Sequence, residues 1–352
     1  MHVLMIGAGN PKATFIRRHI ESLENIGVTI SFLPDFDNHQ FLSVKLLKFG
    51  FTFHLPNIIK RAVSSADILH YQWPGHWLTY GNFANKFNKP SVLSLRGRQV
   101  NILPYLPGHE KYQRQLHKTL TECNAYHCVS QAMLEEAKLL GLEDEKRAFV
   151  IRPAVDPEFF TPNKDVLPEY PLKLIMIGAL MWRKGYDYAL LGVKQAKVQG
   201  LNISLNIIGD GEDRERIEYM IRELDLERDV CLLGRKKPEE VRDLLQDSHV
   251  LLHTSLSEGI ANVILEAMAC GLVVVTTAAG GIDEVISDGK NGLLMPSRDP
   301  VAVASRIRQV YENPDLRTKL GEKAREDVLE KHTLDQQARA FYKMYSQILG
   351  QG

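Results

Sequence analysis

Short runs of apolar, mostly β-branched residues alternate along the chain with longer stretches where apolar residues recur every three or four positions. A continuous apolar run of a few residues fits a strand buried on both faces, and the three-to-four period fits an amphipathic helix. In the first half the strand candidates are His2–Ile6, Val28–Phe32, Asp67–Tyr71, Pro90–Leu95 and Tyr126–Val129. Helical runs such as Thr14–Ile26 and Lys111–Glu122 lie between them. The second half opens afresh with an apolar strand at Leu172–Ile177 running into Gly178, the same opening as the N-terminus. It continues with Ile203–Ile208, Val230–Leu233, Val250–His253 and Leu272–Thr276. Strand–helix alternation predicts parallel strands joined by crossover helices, so the expected class is α/β with two doubly wound, Rossmann-like domains.

The joint between the halves stands out in composition. Five of the chain's 16 prolines fall between Val150 and Pro171. Proline fixes φ and cannot donate to a ladder, so an ordered but irregular connector is expected there. The expected organisation is a first domain over 1–152, a connector over 153–171, a second domain over 172–333 and a C-terminal helix over 334–352 that packs back on the first domain. Two doubly wound domains facing across a cleft would bind ligand at the carboxyl ends of their strands.

At 352 residues, with 44% hydrophobic and 24% charged residues, the chain is an ordinary packed protein. Its 43 basic and 43 acidic residues cancel, which argues against nucleic acid as the main partner. The balance conceals a split: residues 1–150 hold 17 basic and 12 acidic residues, and the remainder is acidic by the same margin. The four cysteines (Cys123, Cys128, Cys231, Cys270) form no C-x-x-C pair, so buried free thiols are expected and structural zinc is not. No apolar run is long enough to span a membrane, and the N-terminus lacks the basic opening of a signal peptide; the expectation is a cytoplasmic protein.

Candidate chemistry follows the strands. After the first strand, Gly7-Ala8-Gly9-Asn10-Pro11-Lys12 is a dinucleotide fingerprint that lacks its third glycine. After the corresponding strand of the second half, Arg183-Lys184-Gly185 precedes the helical run Tyr186–Val198, an arrangement suited to a diphosphate. The sharpest feature is a pair of glutamates, Glu258 and Glu266, eight apart across the start of the helical run Ala261–Cys270. Eight residues amount to about 12 Å at the helical rise. Two carboxylates at that separation can accept hydroxyls at the two ends of a nucleotide sugar, with amides of residues 260–263 meeting its diphosphate. Glu266 read alone would be an ordinary helix-surface charge, but it sits among Val263, Ile264, Leu265, Ala267 and Met268, where a carboxylate without a task is costly.

These pieces resemble the retaining glycosyltransferases of family 4, the glycosyl transferases group 1, which have the GT-B fold. The resemblance rests on Trp182-Arg183-Lys184-Gly185, Ile208-Gly209-Asp210-Gly211, Leu233-Gly234-Arg235, the E-x7-E pair Glu258 and Glu266, Gly280-Gly281-Ile282-Asp283-Glu284-Val285, and the joint Pro153-Ala154-Val155-Asp156. It implies a transferase that uses a nucleotide-diphosphate sugar with retention and without metal or cofactor, in surface polysaccharide or glycolipid synthesis. Glu258, Lys184 and Arg183 would be its catalytic groups. Gly9, Arg235, Gly259, Ile260, Ala261, Asn262, Val263, Glu266 and Gly281 would line the donor site. Ala179 stands where the family commonly has a phosphate-binding arginine, a role that Arg183 would take over. Arg96 stands where many members have histidine.

The acceptor, a saccharide or lipid-linked molecule, would be bound by the first domain, with Arg96 and His70 as candidates; His70 would equally be a satisfied core histidine. Lys45, Lys48, Lys60 and Arg61 lie among apolar residues between Phe41 and Val63. That stretch would suit peripheral contact with the inner face of a membrane, or simply a core helix with solvated lysines. The alternatives to the transferase are a nucleotide-sugar epimerase, a nicotinamide-dependent oxidoreductase resting on the loop after Ile6, and a non-catalytic nucleotide-sugar-binding subunit.

Overall fold

The computed structural model describes residues 1–7, 14–33, 57–163 and 169–350. The chain folds as two compact units: Met1–Arg152 with Leu334–Gly352, and Pro153–Thr333.

The first unit is built on a six-stranded sheet of β1 (His2–Ile6), β2 (Thr29–Leu33), β3 (Ile68–Tyr71), β4 (Ser91–Leu95), β5 (Ala125–Cys128) and β6 (Ala148–Val150). The second carries β7 (Leu172–Ile177), β8 (Ile203–Ile208), β9 (Val230–Gly234), β10 (Val250–His253), β11 (Val273–Thr277) and β12 (Leu293–Met295). Their orders are β2-β1-β3-β4-β5-β6 and β12-β11-β10-β7-β8-β9. All these pairings are parallel. Two parallel six-stranded sheets with flanking helices form the doubly wound α/β architecture that the alternation predicts. In each sheet the winding reverses beside the first strand, between β1 and β3 and between β7 and β10. Loops leaving those strands therefore diverge and leave a crevice at their carboxyl ends.

The sheets are sandwiched on both faces, which is why their strands read as apolar runs rather than alternations. Leu4, Ile6, Leu69, Tyr71, Leu93 and Leu95 fill one face of the first sheet. Val3, Met5, Ile68 and Val92 fill the other, under Phe341, Met344 and Tyr345 of the C-terminal helix Leu334–Ile348. Each of those three helix side chains is fully buried, a stabilisation of roughly 1.5–3 kcal/mol apiece. In the second sheet Leu174, Met176, Leu252 and Val275 face one way. Ile175, Leu251 and Val274 face the other, against Met268, Ala324 and Val328.

The edge strands β6 and β12 have only three residues each, too short to stand out in the sequence. Within the described part of the proline-rich stretch, Phe160 enters the second unit's core, and Val155 forms a bridge with Thr333. Cys123, Cys128 and Cys270 are buried free thiols, but Cys231 is exposed on the edge strand β9. Gly9, Lys45 and Lys48 lie outside the described residues, whereas Lys60 and Arg61 are on the helix Asn57–Ser65. Among the described residues no helix is long and apolar enough to cross a membrane, and no cluster of His, Cys, Asp and Glu is placed to hold a metal ion.

Candidate functional site

The second unit's site is made by two loops from neighbouring strands, β7 and β10. The first carries Trp182–Lys184 as a single 3₁₀ turn and ends on Gly185 in the left-handed region, φ 67°. A Cβ there would fall 2.2 Å from the Thr254 carbonyl oxygen, so only glycine lets the loops come this close. They are fastened together. The Thr254 hydroxyl lies 3.0 and 2.9 Å from the Lys184 and Gly185 carbonyls, and the Leu256 amide donates to the Arg183 carbonyl at 2.8 Å.

This brings together three residues that the sequence singled out. The Lys184 ammonium pairs with Glu258 Oε1, and an Arg183 guanidinium nitrogen lies 3.8 Å from Oε2. The Ser255 hydroxyl donates to the same carboxylate at 3.0 Å. Beneath it, His253 Nε2 is 3.1 Å from Ser255 Oγ and 3.8 Å from Glu258, and its Nδ1 is 3.0 Å from Thr276 Oγ1. Burial alone would raise the Glu258 pKa, but the nearby His253 and the charge of Lys184 hold it well below the usual carboxylate range. His253 is pushed down, first by burial and then by the Lys184 charge, although Glu258 opposes the shift. Thr254, Ser255 and His253 are site residues that the motifs do not mark. Their signal was available: three polar residues at the end of an otherwise apolar strand.

Gly259, Ile260 and Ala261 continue the β10 loop, and Gly281 donates its amide to the Gly259 carbonyl at 2.8 Å. Gly280, at φ 67°, packs so closely that a Cβ would lie 1.9 Å from the Glu258 carbonyl oxygen. The helix Asn262–Ala269 then begins on Ala261 with no side-chain cap, leaving its first-turn amides, those of Asn262 and Val263 among them, available to an anion. Glu266, a turn further on, is half-buried. Among the described residues its carboxylate has no hydrogen-bond or ion-pair partner, and burial pushes its pKa up to about 7. Arg235 follows β9 with its side chain exposed, 3.9 Å from Asp210. Ala179 is exposed in the β7 loop, and Arg183 leans on Met181, its Nε 3.0 Å from the sulfur.

In the first unit Arg96 follows β4. Its NH2 group donates to Gln72 Oε1 at 2.9 Å, and the guanidinium lies 5.8 Å from the Trp73 ring centre. His70 is not available to a ligand: it is 1% exposed and both ring nitrogens are engaged. The directions of its bonds are fixed. His127 Nε2 sits 2.9 Å from the Ile151 carbonyl, which only accepts, so His127 Nδ1 must accept from the Ser94 hydroxyl at 2.8 Å. Ser94 then accepts from His70 Nε2 at 2.8 Å, and His70 Nδ1 accepts from the Tyr345 hydroxyl at 2.7 Å. Burial keeps both histidines neutral, His127 with a pKa of about 3. The relay fastens the C-terminal helix to the sheet, so His70 is a core histidine.

Residues 158–327 match the family Glycosyl transferases group 1. The chain is 34% identical over 187 residues to the putative colanic acid biosynthesis glycosyltransferase WcaL of Salmonella typhimurium, covering 51% of this chain and 46% of that protein. It thus spans about half the length of that relative. An uncharacterized glycosyltransferase of Methanocaldococcus jannaschii is 28% identical over 93% of both chains. The fold matches that of Anabaena HepE, solved in complex with UDP, with a TM-score of 0.79 at 16% identity over 98% of this chain and 99% of that one. Residues 158–327 thus match the glycosyl transferases group 1, and the fold is that of the GT-B glycosyltransferases.

Proposed function

We propose that the protein is a retaining glycosyltransferase that moves a sugar from a nucleotide-diphosphate sugar to a saccharide or lipid-linked acceptor. One observation carries the reading: an ionised Glu258, buttressed by Lys184 and Arg183, stands across an uncapped helix start from Glu266, which has no partner among the described residues. Glu266 accepts the ribose hydroxyls and Glu258 the hydroxyls of the donor sugar. The diphosphate lies between them, against Lys184, Arg183 and the amides of the helix start. Gly259, Ile260 and Gly281 shape the floor, and the backbone at Arg235 meets the base.

As the bond from the anomeric carbon to the phosphate oxygen breaks, negative charge grows on the departing diphosphate. Cations and amides already aimed at it lower that barrier. The acceptor oxygen bonds the anomeric carbon on the face the phosphate leaves, and its proton passes to the departing phosphate oxygen. Arg183 supplies the charge that Ala179 lacks. The name of the Salmonella relative supports surface polysaccharide as the product class, and UDP in the HepE structure makes uridine donors the first to try.

The test is nucleotide release from a panel of UDP-, GDP- and ADP-sugars by wild type and Glu258→Ala. Slow hydrolysis of one donor, lost in the variant, is expected. Binding without release, even with acceptors supplied, identifies a binding subunit instead. No binding of any donor overturns the proposal. With an acceptor in hand, an inverted anomeric product would remove the retaining mechanism alone.

A further inference from the structure

Arg96 is a half-buried cation without a counter-ion among the described residues. No carboxylate among the described residues pairs with it; its partners are the Gln72 side-chain oxygen at 2.9 Å, Ser94 Oγ at 3.4 Å and the face of Trp73. Both hydrogen bonds come from NH2. Nε is closed off from water with no partner among the described residues. The neighbouring histidines cannot neutralise it, and they titrate as groups that feel its charge: burial and then Arg96 push His19 down to about 4. His70 and His127 are likewise held neutral. Burial lowers Arg96 itself to about 10, with Tyr345 alone opposing. Next to it, Gly97 leaves space: a Cβ there would meet no described atom within 4 Å.

A guanidinium withdrawn from water without a carboxylate is costly, and its planar fork is suited to two oxygens of one anion. A methionine or glutamine would pack in this place without that cost. We propose that Arg96 forms the floor of an oxyanion subsite in the first unit, which takes a phosphate or carboxylate group carried by the acceptor. The inference rests on the transferase reading for the word acceptor, and on Arg96 alone for the subsite. Gln72 and Trp73, both in the loop after β3, hold the guanidinium in register at the place where the winding of the first sheet reverses.

The experiment uses the full chain and three probes at matched ionic strength: inorganic phosphate, acetate and chloride. Each is titrated by calorimetry and by thermal unfolding, with and without saturating UDP to occupy the donor site, into wild type, Arg96→Met and Arg96→Lys. The subsite predicts that phosphate or acetate, and not chloride, binds the UDP-saturated wild type. Arg96→Met should weaken that binding roughly tenfold or more, with Arg96→Lys between. In chloride alone Arg96→Met should melt no lower than wild type, because it removes an uncompensated charge; a clear drop would make Arg96 a structural residue and overturn the proposal. If Arg96→Met does not fold, an unchanged anion affinity in Arg96→Lys overturns it equally. A phosphate response that vanishes on adding UDP assigns the anion to the nucleotide and overturns the acceptor subsite. Failure of UDP itself to bind counts against the transferase reading only, and the phosphate titration of Arg96→Met in a Lys184→Met background then decides the subsite.

Discussion

The two units place charge at the ends of their strands in opposite ways. In the second, Glu258 is surrounded by Lys184, Arg183, Ser255 and His253, and the cluster satisfies itself without ligand. In the first, Arg96 stands among neutral groups, with histidines that burial keeps uncharged. A self-satisfied cluster is preorganised: on the proposed reading, an incoming diphosphate would compete for a lysine that is already in position. An unsatisfied cation waits for its ligand to supply the missing charge. The first arrangement favours a reaction in which charge develops, the second the recognition of a charge already there.

The largest effect should come from breaking the preorganised cluster. Lys184→Met is expected to lower donor turnover by roughly 10²–10³-fold, the scale of losing one preorganised group at a developing anion; a rate within threefold of wild type would remove Lys184 from the chemistry. Glu266 sharpens the contrast, because its carboxylate is left unpaired among the described residues. Its folded pKa of about 7 lies above the ordinary 4.5, so the folded state holds the proton longer than the unfolded one. Stability should therefore fall as pH rises from about 4.5 to 7 and then level off. Glu266→Gln should be more stable than wild type at pH 8, by about 3 kcal/mol, and equal to it near pH 4. Urea unfolding at both pH values checks this; equal stability at pH 8 would mean that the carboxylate is not desolvated.

Arg183, at 3.8 Å rather than in contact with Glu258, should matter less than Lys184. Arg183→Ala is expected to reduce turnover about tenfold, a loss of some 1.4 kcal/mol of transition-state stabilisation. An unchanged rate would leave the position of Ala179 uncompensated. The smallest effect belongs to the neutral relay of the first unit. Tyr345→Phe removes the donor to His70 Nδ1 and should cost about 1–2 kcal/mol in unfolding while leaving UDP binding unchanged. A matching loss of UDP affinity would show that the relay does more than hold the C-terminal helix.

Most of the architecture was legible because strands buried on both faces are written locally, as runs such as Val250–His253 or Leu172–Ile177. The loops worth examining were legible too, because parallel winding sends every candidate to the carboxyl end of a strand. Short edges escaped: Leu293–Met295 has too few residues for a period to register. His70 and Glu266 illustrate the limit from two sides. Both are single ionisable residues among apolar neighbours, and the sequence treats them alike. One finds Ser94 and Tyr345, residues 24 and 275 positions away, and becomes part of the core. The other finds no partner among the described residues, and burial holds its pKa up.

By itself, then, the sequence determined the α/β class, the opening of each half on a buried strand and the glutamate pair across a helix start, since each follows from periodicity within a few residues. Only the tertiary structure decided that Lys184 meets Glu258 across 74 residues, that Ser255 and His253 stand beneath the carboxylate, and that Arg96 has no acid beside it among the described residues. Which strands are neighbours is fixed by packing over the whole sheet, and ion pairing falls off within a few ångströms, so a charge's partner is a property of the fold and not of its place in the chain.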